Sequence, residues 1–224
     1  MSEVDMVVGR TLESFLLPEA LEALDPHALA AVGPTLGPAV RPGYGLAVAV
    51  AGSRETVERQ VRDFCAFCSQ ANALATMTLA PDQGEAAWRA IREVHVRPTG
   101  AQAVVKIAVP IGKTLELFAS VERLMQAQQS SGVVTAHAGS GIVRAGFETG
   151  AGVPLEKLRD GLATLRREAE ACEGSLVVEA APPALKRGLD AWGTSAVGQS
   201  VMRRLKAEFD PQGLMNPGRF VVGI

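Results

Sequence analysis

Apolar residues recur along positions 44–224 with two different periods, and each period predicts one kind of element. Short apolar runs bounded by glycine, proline or serine are typical of buried strands. Apolar residues three or four positions apart are typical of helices with one buried face. The predicted strands are 46–51, 74–79, 103–109, 132–136, 142–147 and 175–179. The predicted helices begin after Ser53, cover 85–94 and 114–128, and begin again after Pro154, with two short helices before the C-terminus.

Residues 1–43 have a different pattern. Five prolines lie between positions 18 and 42, and they divide the segment into short pieces because proline ends most helices. We predict that 1–43 is an N-terminal connector that leads from another domain, and that 44–224 is one domain. The apolar anchors predicted in the connector are Leu12, Phe15, Leu16, Leu21 and Leu24.

The order of the predicted elements is β-α-β, a single helix, and then β-α-β-β-α-β. Short strands with helices between most of them predict an α+β domain, in which one antiparallel or mixed sheet carries helices mainly on one face. The last part of this order matches a split βαβ layout. Periodicity alone does not choose this layout over another α/β arrangement.

The composition narrows the possible function classes. The chain has 224 residues and a net charge of −2, so it has no global electrostatic reason to bind nucleic acid or an anionic membrane. It contains no apolar run long enough to cross a bilayer and no secretory signal. Three cysteines, an odd number, argue against a disulfide framework. We therefore predict a cytoplasmic protein with a sizeable core.

Two short motifs do not fit the sites they suggest. Cys65 and Cys68 have CxxC spacing, but they fall inside a predicted helix and not at its N-terminus, where a redox pair is activated. We interpret them as core or boundary cysteines. The Gly112-Lys113-Thr114 run resembles the end of a phosphate-binding loop, but Ile107 stands where the first glycine is required. Thr114 is more simply the cap of its helix.

The last sixteen residues contain two proline–glycine turns. Pro211 fixes its own φ, and Gly213 is suited to positive φ. The Asn216-Pro217-Gly218 run predicts a second turn of this kind, since a residue before proline is pushed into an extended conformation. We predict a rigid tail that is held against another surface.

This tail resembles the C-terminus of FAD-linked oxidases of the vanillyl-alcohol-oxidase type. The closest resemblance is to the FAD-binding subunit of glycolate oxidase, whose chains end in Phe-Asp-Pro-x-Gly-x-x-Asn-Pro-Gly-Arg. The runs 190–193 and 202–206 fit that subunit too. The resemblance covers the substrate-side half of the family's architecture, without its N-terminal FAD-binding domain. It implies a ferredoxin-like cap domain over 44–224.

The resemblance also implies roles for two cationic residues. Relatives that oxidise 2-hydroxy acids have Arg-Glu where this chain has Arg92-Glu93, and an arginine's planar fork suits a substrate carboxylate. The alternative is an exposed helix arginine. Lys106 lies on a strand that carries basic or polar residues facing the flavin in relatives, although its register is not the family's. The alternative for Lys106 is a lysine that points to solvent from a one-sided sheet.

The segment from His137 to Arg144 departs from the family. Metal-dependent relatives carry His-x-Gly-Asp-Gly-Asn and then a second histidine, and here only His137 matches. Ser140, Ile142 and Arg144 stand at the acidic, amide and second histidine positions. One histidine without a second ligand is a poor metal site, so we predict no metal. The glycines fit a tight hairpin equally well.

By resemblance, the chain is a component of a glycolate-oxidase-type enzyme that oxidises a 2-hydroxy acid to a 2-oxo acid with FAD. Arg92, Lys106 and His137 are the candidate catalytic residues, and Asn216 is the candidate flavin contact. The implied partners are an FAD-domain subunit and an iron–sulfur subunit, or a second copy of the chain. One sheet face should then be uncovered. The alternatives are a non-catalytic assembly subunit and a fragment of a longer protein.

Overall fold

The computed structural model describes residues 1–96, 102–149, 154–193 and 198–223. Within these ranges six strands form one sheet, and all neighbouring strands are antiparallel. The strands are β1 (Ala20–Leu24), β2 (Gly45–Ala49), β3 (Gln102–Ala108), β4 (Gly132–His137), β5 (Ile142–Glu148) and β6 (Ser175–Ala180). Their order across the sheet is β2-β1-β4-β5-β3-β6. The predicted α+β class is therefore confirmed.

Helices occupy most of the remaining described chain. They are α1 (Ser2–Glu13), α2 (Pro26–Leu36), α3 (Arg54–Gln70), α4 (Pro81–Glu93), α5 (Thr114–Gln128), α6 (Leu155–Ala171), α7 (Pro183–Lys186) and α8 (Gln199–Phe209). Short 3₁₀ turns lie at Ile111–Lys113 and Val221–Gly223. None of the described helices has both the length and the apolar character needed to cross a membrane.

The ferredoxin-like unit is formed by β3-α5-β4-β5-α6-β6. Its four strands are ordered β4-β5-β3-β6, so the first and third strands of the unit are central and the second and fourth flank them. This is the arrangement expected of a split βαβ layout. Strands β1 and β2 extend the sheet beyond β4.

Alternate strand residues point to one large core, because successive side chains of a strand lie on opposite sides of the sheet. We call this side the core face. Helices α1, α3, α5 and α6 pack on it, with Phe118 of α5 and Phe147 of β5 fully buried. Burial of each such ring contributes roughly 1.5–3 kcal/mol to stability. The core face fixes by alternation which strand residues point the other way.

The opposite side of the sheet is only partly covered. Helices α2 and α4 pack over β1 and β4 there, where Leu24, Leu29, Ile91 and Val133 form a second, smaller apolar cluster. The described helices that contact β3, β5 and β6 most are α5 and α6, and both lie on the core face. Helices therefore lie mainly on one face, as predicted, and the described helices leave part of β5, β3 and β6 uncovered on the other face.

The first 43 residues are more regular than the sequence pattern indicates. They contain α1, β1 and α2, and β1 pairs with both β2 and β4. The Ala-Leu-Glu-Ala-Leu sequence of β1 favours a helix, and the pairing overrides that preference. Of the predicted anchors, Leu16, Leu21 and Leu24 are buried, whereas Leu12 and Phe15 are exposed. The division into a connector and one domain stays a prediction.

Two local predictions are wrong. The predicted strand 74–79 is not a strand, because its side chains are mostly exposed and no strand pairs with it. Thr114 does not cap its helix: it is the first residue of α5, and its hydroxyl donates to the carbonyl of Ile111 in the preceding turn. Helix α3 begins after Ser53 as predicted, and Ser53 caps it, since its hydroxyl accepts from the amide of Thr56.

Candidate functional site

The uncovered area of the sheet collects several polar side chains. We call it the open face and define it as the side opposite the core face over β5, β3 and β6, together with the end of β4 and the neighbouring residue of β1. By strand alternation and register, its members are Glu22, Lys106, Ala108, His137, Ile142, Arg144, Val177 and Glu179.

Glu22 and His137 form a close pair at one end of the open face. They lie directly opposite each other on β1 and β4, and Nδ1 of His137 is 2.8 Å from Oε2 of Glu22. The Glu22 side chain is 12 % exposed, whereas the His137 side chain is 37 % exposed. The carboxylate is thus almost enclosed, and the imidazole bonded to it still reaches solvent.

A shallow area lies beside this pair. In the sheet register, His137 is opposite Ile142, Ile142 is opposite Ala108, and Ala108 is opposite Ser175. Ile142 and Ala108 are half-buried. Both side chains are small or aliphatic and lie on neighbouring strands, and we call this part of the open face the flat area.

Two cations face each other in the next row of the open face. Lys106 of β3 is directly opposite Arg144 of β5. Arg144 donates to Glu179 of β6 over 3.0 Å, while Lys106 has no ion pair among the described residues. Like charges directly opposite on neighbouring strands destabilise a sheet. The Glu179 carboxylate offsets part of this repulsion by pairing with Arg144.

His95 lies next to this row, just beyond the end of α4. Its side chain is buried, with the residue only 3 % exposed, and its Nε2 is 3.4 Å from the hydroxyl of Thr135. Burial, with the positive charge of Arg144 as a second cause, lowers the pKa of His95 to about 4. The ring is therefore neutral at physiological pH, and its buried Nδ1 has no hydrogen-bond partner among the described residues.

The β4–β5 hairpin depends on one of its two glycines. Gly141 has φ +75°, and a Cβ there would lie 2.0 Å from the carbonyl oxygen of Val109. A Cβ on Gly139 would meet nothing within 4 Å. The interpretation of these glycines as a tight hairpin is confirmed for Gly141, which sets the turn between His137 and Ile142.

Arg92 lies away from these pairs. It is exposed in the last turn of α4, next to Ile91 and three residues before His95, both of which are buried. No ion pair or hydrogen bond of its side chain occurs within the described ranges. Its proposed contact with a carboxylate stays a prediction.

The C-terminal tail, residues 210–223, is organised by Asp210. Its carboxylate accepts from the amides of Leu214 and Met215 over 2.8 and 2.9 Å and pairs with Lys206. The hydrogen bond from Lys206 is the main cause that lowers the pKa of Asp210 to about 2. Gly213 has φ +64°, as its place in the turn predicts.

Asn216 lies in this tail and not on the open face. It is exposed, and its φ of +46° is left-handed, so the extended conformation predicted before Pro217 is wrong. Its carbonyl accepts from the amide of Arg219. With Met202, Leu205 and Phe220 it lines a groove of about 310 Å³. Its contact with a flavin stays a prediction.

Trp192 ties the tail to the sheet. The amide of Val178 on β6 donates to the carbonyl of Ala191 over 2.7 Å. The indole of Trp192 donates to the carbonyl of Arg219 over 3.1 Å and packs edge-on against Phe220 at 5.2 Å. The tail is thus held beside β6, the strand at the edge of the open face.

The tail and α8 expose large apolar side chains. No side chain of α8 is buried. The exposed apolar surface lies here and not on the open face, which is rich in charged and small residues. The exposed apolar side chains are Val201, Leu205, Phe209, Leu214, Met215 and Phe220.

The remaining candidate motifs have structural explanations. Cys65 and Cys68 lie in the last two turns of α3, away from its N-terminus, and are not bonded to each other. Burial raises the pKa of Cys68 to about 11. This agrees with their interpretation as core or boundary residues. Within the described ranges, no group of three or more His, Cys, Asp or Glu side chains is placed to hold a metal ion.

The structure thus brings Lys106 and His137 to one face and leaves Arg92 and Asn216 outside it. Sequence reasoning missed Glu22, His95 and Asp210. A polar residue in an apolar run was the available signal for Glu22, and an aspartate between a helix and a proline was the signal for Asp210. Neither signal identifies the partner.

Comparison with known proteins identifies relatives of this architecture. The family model described as "FAD linked oxidases, C-terminal domain" matches residues 6–220, so the match begins inside the stretch predicted as a connector. The solved structure of 4-ethylphenol oxidase from Gulosibacter chungangensis, in complex with isoeugenol, superposes with a TM-score of 0.58 at 12 % identity. That match covers 97 % of this chain and 50 % of the oxidase chain. At this identity the likeness establishes the fold, and this chain spans about half the length of that oxidase.

Proposed function

We propose, because the chain belongs to the C-terminal domain family of the FAD-linked oxidases, that it supplies the substrate-side wall of a flavin-dependent oxidoreductase. The substrate class is a 2-hydroxy acid, which is oxidised to a 2-oxo acid in a reaction of the glycolate oxidase type. A domain or subunit that carries FAD completes the site, and an iron–sulfur subunit takes up the electrons.

One observation carries this proposal. An uncovered sheet face bears a solvent-reaching histidine, a flat area beside it and a cationic pair next to that area. Even with Glu179 paired to Arg144, Lys106 lies opposite a like charge, which is unfavourable for a purely structural sheet face. Oxidation of a hydroxy acid requires each of these features: a group near the hydroxyl, a surface for a planar cofactor and a positive charge for the carboxylate.

The described residues fit the ring of FAD but not its phosphates. The flat area over Ile142 and Ala108 is compatible with a ring system laid against the sheet. The described part of the chain has no glycine-rich loop at the start of a helix of the kind that cradles a dinucleotide. When bound, FAD supplies the acceptor for the hydride. The residues of this chain would orient the substrate, exclude water and manage the proton.

Each candidate residue then has a distinct role. Lys106 and Arg144 attract the carboxylate, and Arg92 binds it from the end of α4. His137 faces the substrate hydroxyl. Asn216 reaches the flavin from the tail, which Trp192 holds beside β6.

The test is turnover by this chain co-expressed with an FAD-domain subunit, with glycolate or lactate as substrate and a dye as electron acceptor. Arg92→Ala should raise KM about tenfold to hundredfold, because a charged hydrogen bond to the carboxylate is lost. Arg89→Ala is the matched control, since Arg89 is an exposed arginine on the same helix. Equal KM values for Arg92→Ala and Arg89→Ala overturn the role of Arg92. Oxidation of neither hydroxy acid overturns the substrate class.

A second candidate function is a non-catalytic assembly subunit of an oxidoreductase complex. The exposed apolar side chains of α8 and the tail favour it, because large exposed apolar patches mark protein–protein contacts. Under this candidate, Leu205→Glu dissociates the complex, whereas Lys106→Ala and His137→Ala leave its turnover unchanged.

A further inference from the structure

The pair of Glu22 and His137 joins one enclosed side chain to one that reaches solvent. Glu22 lies on β1, the strand that joins the ferredoxin-like unit to the rest of the sheet, and it is 115 positions from His137 in sequence. Their 2.8 Å hydrogen bond joins an almost enclosed carboxylate to an imidazole that is 37 % exposed.

The hydrogen bond determines which imidazole nitrogen carries the hydrogen. A carboxylate only accepts hydrogen bonds, so Nδ1 of His137 must donate to Oε2 of Glu22. In the neutral ring, Nε2 is then the acceptor. Within the described ranges Nε2 has no hydrogen-bond partner, and it is not among the buried polar atoms that lack one. It is therefore open to a ligand.

We propose that Glu22 and His137 form a proton-transfer dyad, in which Glu22 fixes the Nδ1–H tautomer and Nε2 of His137 takes the proton of the substrate hydroxyl. Glu22 is a positioning residue, since it acts through the imidazole. His137 is the catalytic residue. The substrate in this statement rests on the proposed function, whereas the tautomer is a property of the chain alone.

The step balances in atoms and electrons. Oxidation of a 2-hydroxy acid breaks the O–H bond and the bond between the carbinol carbon and its hydrogen. The hydroxyl proton passes to Nε2, and the hydrogen on carbon leaves as hydride to the FAD of the partner domain. The oxygen electron pair forms the second bond of the new carbonyl. The imidazolium that results lies against the Glu22 carboxylate, which stabilises its charge.

The surroundings suit this role. His137 adjoins the flat area of Ile142 and Ala108 in the register, so a substrate beside a ring laid on that area would be next to Nε2. The Lys106–Arg144 pair occupies the following row and can hold the carboxylate. Gly141 fixes the turn that follows His137, the last residue of β4. Both members of the dyad thus lie on paired strands of the sheet, directly opposite each other.

The first test is ¹⁵N NMR of the imidazoles in the full chain, which has three histidines. His27 is exposed and His95 is buried, so variants His27→Gln and His95→Gln assign the signals. The expected spectrum shows His137 as the Nδ1–H tautomer. In Glu22→Leu the signal should move to the Nε2–H tautomer, which free imidazoles favour. An Nε2–H tautomer in the unaltered chain overturns the proposal, and this result needs no variant to fold.

The second test is turnover in the co-expressed complex. His137→Ala should lower kcat by about 10²–10⁴-fold, the usual contribution of a general base. Glu22→Leu should lower kcat with little change in KM, and Glu22→Gln should recover part of it because its amide oxygen still accepts from Nδ1. Glu19→Leu is the control, since Glu19 is an exposed neighbour of β1. An unchanged kcat in Glu22→Leu overturns the dyad, whereas a complex that oxidises no 2-hydroxy acid overturns the proposed function itself.

Discussion

The open face and the C-terminal tail both carry candidate residues, but they are held in different ways. Lys106 and His137 lie on β3 and β4, and each of these strands is hydrogen-bonded to a neighbour on both sides. Asn216 lies in an exposed turn that depends on the hydrogen bonds of Asp210 and the contact of Trp192 with the tail. The positions of the first two are set by the whole sheet, and the position of the third is set locally.

The two regions also differ in the polarity of their surfaces. The open face is polar, and its charges have partners within this chain or lie beside small side chains. The tail exposes large apolar side chains that this chain does not cover. Rigidity of the candidate site therefore comes from the sheet, whereas the tail gains burial only from another surface. Five substitutions break or sharpen this comparison.

The largest expected effect is that of Phe147→Ala, on the core face of β5. Phe147 is fully buried, so its loss should lower the free energy of unfolding by about 3–5 kcal/mol. Phe209→Ala in α8 is the control, because Phe209 is 75 % exposed and its loss should change stability by less than about 0.5 kcal/mol. Urea unfolding measures both. Similar losses in the two variants contradict the contrast between sheet and tail.

The next effect is that of Gly141→Ala in the hairpin after His137. A Cβ there meets the Val109 carbonyl at 2.0 Å, and φ is +75°, so we expect a loss of at least about 2 kcal/mol. Gly139→Ala adds its Cβ to open space and should be nearly neutral. Thermal unfolding of the pair gives the answer, and equal melting temperatures contradict the observed close approach.

A smaller and local effect is expected from Asp210→Asn. The pKa of Asp210 is lowered, to about 2, so its stabilisation of the tail is complete above its ordinary value near 4 and is lost as the pH falls toward 2. Trp192 fluorescence in a Trp88→Phe background reports the tail, since Trp192 contacts Phe220.

At neutral pH, the Trp192 fluorescence spectrum of Asp210→Asn should match that of the parent protein at acid pH. The far-ultraviolet circular dichroism spectrum should stay unchanged. Glu208→Gln is the control, because Glu208 is an exposed acidic residue in the last turn of α8, two residues before Asp210. A parent-like Trp192 spectrum in Asp210→Asn contradicts the role of Asp210 in the tail.

The smallest effects concern the charges of the open face. Glu179→Gln removes an exposed ion pair and should cost about 0.2–1 kcal/mol, less at high salt. Lys106→Met removes a like-charge pair with Arg144 and should leave stability equal or a few tenths of a kcal/mol higher. Urea unfolding at two salt concentrations measures both. A large loss in Lys106→Met means that the lysine is structural.

Local patterns predict much of the fold and less of the site. The alternation of β3, in which Val105 and Ile107 are buried and Lys106 is not, is visible in the sequence, and so is the stripe of α6. Strand β1 was missed because its helix-forming residues become a strand only through pairing with β2 and β4.

The site residues divide in the same way. The pattern of the tail predicts positive φ at Gly213, which is a local property. The bond between Glu22 and His137 depends on a register that joins residues 115 positions apart, and no spacing rule contains that information. His95 was missed for the same reason, since only the packing of α4 on the sheet buries it.

The most direct test of the central claim, that this chain is one part of an FAD-linked oxidoreductase, is a visible absorption spectrum of the chain purified gently from its native host, with the co-purifying proteins identified. The account predicts a flavin spectrum together with an FAD-domain partner, and bleaching of that spectrum when a 2-hydroxy acid is added. A colourless chain without such a partner contradicts it.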